Sequence, residues 1–467
     1  MKIECKFHKN IFILLLSASL FSLHLFQGDC RAFPLSIDEE KILGQKFLVS
    51  IRKYYNFVDD DFANDYINDL GHYLIRPLAT KHFPYHFYII NDNGLNAFAG
   101  PGGHVFIFLG LIDIMDKPDE LAAVICHEIG HVSARHLADR IEQNQKISLA
   151  TMAGMLAGVF IGGKTGHAVI SGTVAAGIQA QLHYSRNDER QADMLGFKYL
   201  DMAGFDPSGM ITVLKKMQKG QWLGAESIPP YLLTHPGGPE RISNIEVMLS
   251  GYTRKSERER TDKFRKLFPF LKTVLKAKYL ESHEAEKLFH RELNKYPDST
   301  LAFFGLGIVW KERSEYLKSI DYFLKALKGK PESLLILRNL GEAYQLKGQD
   351  EDAIVILERA LKIDNQDRPT LFLMAISYQN LGEYPKATHL LEKLGSMKPV
   401  KDGVFYSLGV SYGKQDRLAL AHYNFGIYFK RLKKMQEARF HFQKAEALSR
   451  SDPILKRKIR KAAKGIR

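Results

Sequence analysis

Pro118-Asp119-Glu120-Leu121-Ala122-Ala123-Val124-Ile125-Cys126-His127-Glu128-Ile129-Gly130-His131 is the stretch on which the fold turns. Its apolar run reads as a helix, with Pro118 near the start and Asp119 and Glu120 in the first turn, where the helix dipole favours acids. On that helix His127 and His131 sit four residues apart on one face. Both imidazoles can then reach a single metal ion, with the Glu128 carboxylate beside it. The chain has 17 His and 52 acidic residues among 467, so random order would yield at most about 0.07 His-acid-x-x-His matches. The pattern predicts peptide hydrolysis by a metal-activated water, with Glu128 as its general base. Cys126 faces elsewhere and reads as a small buried hydrophobe.

A catalytic zinc takes three protein ligands and keeps one position open. The third is expected from Ser185-Arg186-Asn187-Asp188-Glu189-Arg190-Gln191-Ala192-Asp193. There Glu189 and Asp193 lie one helical turn apart, so one can bind metal while the other hydrogen-bonds a ligating imidazole. Around these residues the chain reads as mixed helix and strand. Ser36 to Leu43 looks like a capped helix start and Asp61 to Leu74 like an amphipathic helix. His86–Ile90 and His104–Phe108 read as short strands, with Gly100-Pro101-Gly102-Gly103 breaking the chain between them. The Gly-rich segment 154–178 reads as a buried helical pair or an active-site flap, too short and too interrupted by Lys164 and His167 to span a bilayer.

Beyond residue 265 a repeat takes over. Gly307, Gly341, Ala375 and Gly409 are spaced by 34 residues, and Trp310, Tyr344, Tyr378 and Tyr412 follow each by three. Ala353, Ala387 and Ala421 form a further column. This period and these columns mark tetratricopeptide repeats, helical hairpins whose neighbours complete each other's cores. The column reappears at Gly426, only 17 residues after Gly409, so one helix is expected to serve two overlapping hairpins. Four to five units follow.

At the amino end Lys2, Lys6 and Lys9 precede the apolar stretch Ile11 to Phe26, and Cys30-Arg31-Ala32 offers small residues for cleavage. Residues 1–32 are expected to be an export signal, with an uncleaved anchor as the alternative. Cleavage leaves Cys126 as the one thiol, so no internal disulfide is required. The formal charge of +14 is dispersed, with no basic block interleaved with aromatics. It argues against nucleic acid and allows peripheral attraction to anionic surfaces. The expected organisation is a signal over 1–32, a metal-binding catalytic domain over 33–260, repeats over 266–452 and a basic tail over 453–467. The fold class is mainly α with a small β-sheet, followed by an all-α solenoid.

Four pieces share their order and spacing with a known family: Asn96 through Gly103 to His104-Val105, the His127–His131 helix, Ser185 through Glu189 to Asp193, and Thr234-His235-Pro236 followed by Glu240-Arg241. Over residues 38–250 they resemble the zinc metalloproteases related to HtpX and the CAAX prenyl proteases. The resemblance implies a zincin-type (gluzincin) fold and one Zn2+ per chain, held by His127, His131 and Glu189. Glu128 is then the general base and Asp193 the partner of a ligating imidazole. His235 is implied as a regulatory fourth ligand that can occupy the open position and hold the site latent. An extended substrate is expected to pair with the edge of the strand carrying Val105, Phe106 and Ile107. With a leader in front and repeats behind, the resemblance further implies a periplasmic endopeptidase of envelope protein quality control. Unfolded or misassembled proteins would be its substrates and the outer-membrane β-barrel assembly machinery its partner through the repeats. The rival is a repeat-based chaperone or adaptor with a latent metal site.

Overall fold

The computed structural model describes residues 35–143, 184–222, 230–253, 258–449 and 452–466. The expected signal over 1–32 and the Gly-rich segment 154–178 lie outside the described residues. The chain divides into two compact units between Phe268 and Pro269. Among the described residues no helix is long and apolar enough to cross a membrane.

Among the described residues the first elements of the first unit are α1 (Ile37–Tyr54) and α2 (Asp61–Leu74). At the start of α1 the Ser36 hydroxyl accepts the Glu39 N–H at 3.2 Å, while the Glu39 carboxylate accepts the Ser36 N–H at 3.0 Å. This reciprocal cap satisfies two amide donors that the helix cannot. Strands β1 (His86–Ile90), β2 (Ala97–Gly100) and β3 (His104–Phe108) follow, then helices α3 (Leu109–Asp113), α4 (Pro118–Ser133), α5 (His136–Gln143), α6 (Arg186–Ala203), α7 (Ser208–Trp222), α8 (Pro230–Thr234) and α9 (Gly238–Ser250).

The sheet order is β1-β3-β2, with β3 parallel to β1 and antiparallel to β2. Strand β2 is absent from the sequence expectation because it is four residues long and runs straight into the Gly100-Pro101 break. A tight turn at Pro101–Gly103 returns the chain to β3, with Gly102 and Gly103 at φ of +71° and +85°. A Cβ on Gly103 would also lie 2.9 Å from that of Phe83, so glycine answers both a left-handed backbone and a steric limit. On the sheet Phe98 and Phe106 stack at 4.9 Å, and Phe47 of α1 meets both edge-on. Leu137, Ala138 and Ile141 of α5 join the same cluster. Each fully buried phenylalanine contributes about 1.5–3 kcal/mol.

Helix α4 is buried from Pro118 through Val132. That explains why its sequence is apolar on every face rather than striped. Helix α6 crosses it very closely. A Cβ on Gly130 would lie 2.8 Å from the Ala192 carbonyl oxygen, and one on Gly196 would lie 3.2 Å from the His127 backbone. These two glycines let the backbones approach, which brings one face of α6 against His127.

In the second unit the small column does the same for helical hairpins. Cβ atoms on Gly307, Gly341 and Gly409 would collide with Phe323, Leu357 and Phe425 of the following helix. Helix Leu418–Arg431 plays both parts: its Phe425 covers Gly409, while its Gly426 is covered by Phe442 of helix Met435–Leu448. The turn residues Ser314, Gly348, Gly382 and Asp416 all have positive φ at the 34-residue spacing. Polar contacts recur with the period too. Gln345 Nε2 donates to Leu373 O at 2.8 Å and Ser377 Oγ at 2.7 Å, and Gln379 Nε2 donates to Ser407 O at 2.8 Å and Ser411 Oγ at 2.6 Å. The stretch read as a basic tail forms helix Pro453–Ala463, because Leu455 and Ile459, one turn apart, are buried against the last repeat.

Candidate metal centre and active site

Helix α4 presents His127 and His131, α6 presents Glu189 and Asp193, and His235 lies between α8 and α9. His127, His131, Glu189 and His235 are buried, and each offers one ligand atom within 4.8 Å of the others. His127 Nε2 is 3.0 Å from His131 Nε2 and 3.4 Å from His235 Nδ1. Glu189 Oε1 is 3.0 Å from His235 Nδ1 and 3.4 Å from His131 Nε2, and its Oε2 is 3.4 Å from His127 Nε2.

Neighbouring side chains orient this cluster. Asp193 Oδ1 lies 2.9 Å from His127 Nδ1, the nitrogen facing away from the cluster. Tyr184 stacks on His131 at 3.8 Å and Tyr231 on His235 at 4.4 Å. Arg241 of α9 is buried behind the acids. Its Nε and NH2 donate to the two Asp193 oxygens at 2.8 and 2.7 Å, and its NH1 is 2.8 Å from Glu189 Oε2.

Burial alone would raise both carboxyls, but Arg241 outweighs it and holds Asp193 down at about 2. Against the same burial, His235 and Arg241 hold Glu189 well below the usual carboxylate range. Both acids are therefore anionic. Burial holds His131 well below the usual imidazole value, so its ring is neutral and can lend a lone pair. Glu128 is fully enclosed, and burial pushes its carboxyl up despite the nearby His235 and His127. A raised carboxyl is a better proton acceptor.

A metal ion fits these residues. Both Glu128 carboxylate oxygens and His235 Nε2 are buried without a hydrogen-bond partner among the described residues. Such groups cost about 1–3 kcal/mol each when left unsatisfied, so they point to a further polar occupant. Three imidazoles and a carboxylate form the nitrogen and oxygen donor set that zinc prefers.

Of the residues singled out in the sequence, His127, His131, Glu189, His235, Asp193 and Glu128 come together. Val105, Phe106 and Ile107 do not fit their expected place. They lie on β3, the central strand, whose two main-chain edges are taken by β1 and β2. Their apolar character reflects burial on both faces and offers a substrate no free edge. Arg241 was legible only as part of a motif, since a single arginine after Glu240 reads as solvated. Burial of its guanidinium depends on α9 folding back against α6.

Comparisons with known proteins agree with this geometry. The model of peptidase family M48 matches residues 62–249, and a tetratricopeptide-repeat model matches residues 336–369. Over 220 residues the chain is 35% identical to the beta-barrel assembly-enhancing protease of Yersinia pestis and 33% identical to that of Escherichia coli K12. Both matches cover 46% of this chain and 45% of the relative. A Vibrio cholerae relative aligns over 319 residues at 31% identity, 66% of this chain and 63% of that one. The mitochondrial metalloendopeptidase OMA1 of Schizosaccharomyces pombe is 27% identical over 208 residues, 44% of this chain and 59% of its own. The matched stretch thus spans from about half to just under two thirds of these relatives' lengths. The chain carries a metallopeptidase domain of family M48, followed by tetratricopeptide repeats.

Proposed function

We propose that this chain is an exported zinc endopeptidase that degrades misassembled envelope proteins. The observation that carries the reading is the convergence of His127, His131 and Glu189 beside the buried carboxylate of Glu128, whose oxygens have no hydrogen-bond partner among the described residues and whose Oε1 lies 3.6 Å from His235 Nε2. His127, His131 and Glu189 would hold the zinc. When bound, the ion supplies Lewis acidity to a water molecule and to the substrate carbonyl. Glu128 accepts the proton as the water attacks and returns it to the leaving amine. Asp193 fixes the His127 ring through its Nδ1, and Arg241 keeps Glu189 and Asp193 anionic.

Export to the periplasm is inferred from the signal-like amino terminus. The likeness to beta-barrel assembly-enhancing proteases supports misassembled outer-membrane proteins as substrates and the β-barrel assembly machinery as the partner of the repeats. A repeat array tethered to a protease raises the effective concentration of whatever it captures. His235, within 3.4 Å of His127 Nε2, favours a second state in which it is a fourth ligand and the enzyme is latched, leaving the repeats to act as a chaperone or adaptor.

Cleavage of an unfolded protein such as casein tests the reading. Activity should vanish with a chelator, return with zinc, and rise in His235→Ala if the latch operates. No cleavage by either the wild type or His235→Ala would leave the adaptor reading standing.

A further inference from the structure

We infer that His136 and Gln191 form a hydrogen-bond relay that sets the tautomer of His131, and so act as positioning residues for the metal site; this rests on the zinc reading above. His131 Nδ1, the nitrogen turned away from the cluster, lies 3.0 Å from His136 Nδ1, and His136 Nε2 lies 3.0 Å from Gln191 Oε1. A neutral imidazole carries one proton. If His131 is to offer a lone pair from Nε2, the proton must sit on Nδ1, where its hydrogen-bond partner among the described residues is His136 Nδ1. That atom must then accept, which places the His136 proton on Nε2, facing the Gln191 carbonyl oxygen. The opposite polarity would protonate His131 Nε2 and close it to a metal.

The backbone around His136 is built for this placement. Arg135, between α4 and α5, adopts φ of +57°, a left-handed conformation uncommon for a side-chain-bearing residue. Its guanidinium is held by the buried Glu40 carboxylate at 3.0 Å and by the Leu35 carbonyl oxygen at 2.5 Å. The turn ends α4 two residues after His131 and swings α5 back, so that His136 is buried against His131 while Leu137, Ala138 and Ile141 anchor the helix in the sheet core. Left-handed residues held by their surroundings tend to occur where geometry matters to a site. The His127 and His131 rings are thus oriented by different acceptors: a carboxylate on His127 and an imidazole nitrogen on His131.

The test uses the full chain and zinc, with affinity read by competition with a chromogenic chelator and coordination by the visible spectrum of the Co2+-substituted protein. His136→Ala should weaken zinc binding about 10–100-fold and alter the cobalt spectrum. In His136→Asn the carboxamide oxygen stands where Nδ1 stood, accepts the same proton, and should restore most of the affinity. Gln191→Ala, at the exposed end of the relay, carries little folding risk and should shift affinity in the same direction by less; it decides the matter if His136→Ala does not fold. Wild-type affinity in His136→Ala, or in Gln191→Ala where that variant decides, overturns the relay. So does a His136→Asn protein that folds but binds no better than alanine. A wild-type chain that binds no zinc instead overturns the metal-site reading, and the relay with it.

Discussion

Glu128→Gln should lower the rate of peptide cleavage by at least about 10²–10⁴-fold, the usual contribution of a positioned general base, while zinc stays bound. The substitution keeps the shape of the side chain and removes its capacity to take a proton. Glu128 is suited to that task because it is enclosed, its carboxyl is pushed up by burial, and neither oxygen is committed to a hydrogen bond among the described residues. It is also not among the four residues whose ligand atoms converge, so its loss should leave the metal site intact. Turnover of a fluorogenic unfolded substrate, measured beside zinc content, separates the two effects. Full proteolysis by Glu128→Gln would remove this residue from the mechanism.

Arg241→Met should have the largest effect on stability. The guanidinium is buried and forms ion pairs with both Glu189 and Asp193. Removing one partner of a buried ion pair leaves an uncompensated charge and typically costs about 3–5 kcal/mol. The loss should be greater in chelator-treated protein, where no metal ion stands beside Glu189 and only imidazoles remain to face it, and urea denaturation with and without zinc would show it. The acid limb should change as well. Asp193 is held down at about 2 against about 3.9 for an unfolded aspartate. Its contribution is therefore present above about pH 4 and lost as pH falls toward 2. In Arg241→Met that part of the pH dependence should shrink. A denaturation midpoint equal to that of the wild type would show that the ion pairs contribute nothing net.

Much of this site was legible because its residues are tied by short spacings. His127 and His131 need only one helix to meet, and so do Glu189 and Asp193. The period of 34 in the repeats likewise reports a local unit whose glycine, aromatic and turn positions recur because the same hairpin is built each time. Long-range arrangement was not legible in the same way. The run around Phe106 is apolar whether a strand is central or at an edge, and only pairing with β2, itself hidden beside Gly100-Pro101, makes β3 central. Arg241 and His136 look like ordinary charged or polar surface residues. Their roles depend on the fold-back of α9 and on the left-handed turn at Arg135, neither of which has a residue pattern of its own.

The most direct test of the central claim is the zinc content of the purified full chain beside that of Glu189→Ala. The proposed site predicts about one zinc per chain in the wild type, as expected of a three-ligand catalytic centre, and almost none in the variant. A wild type without zinc, or a Glu189→Ala chain that keeps its zinc after dialysis, would contradict it.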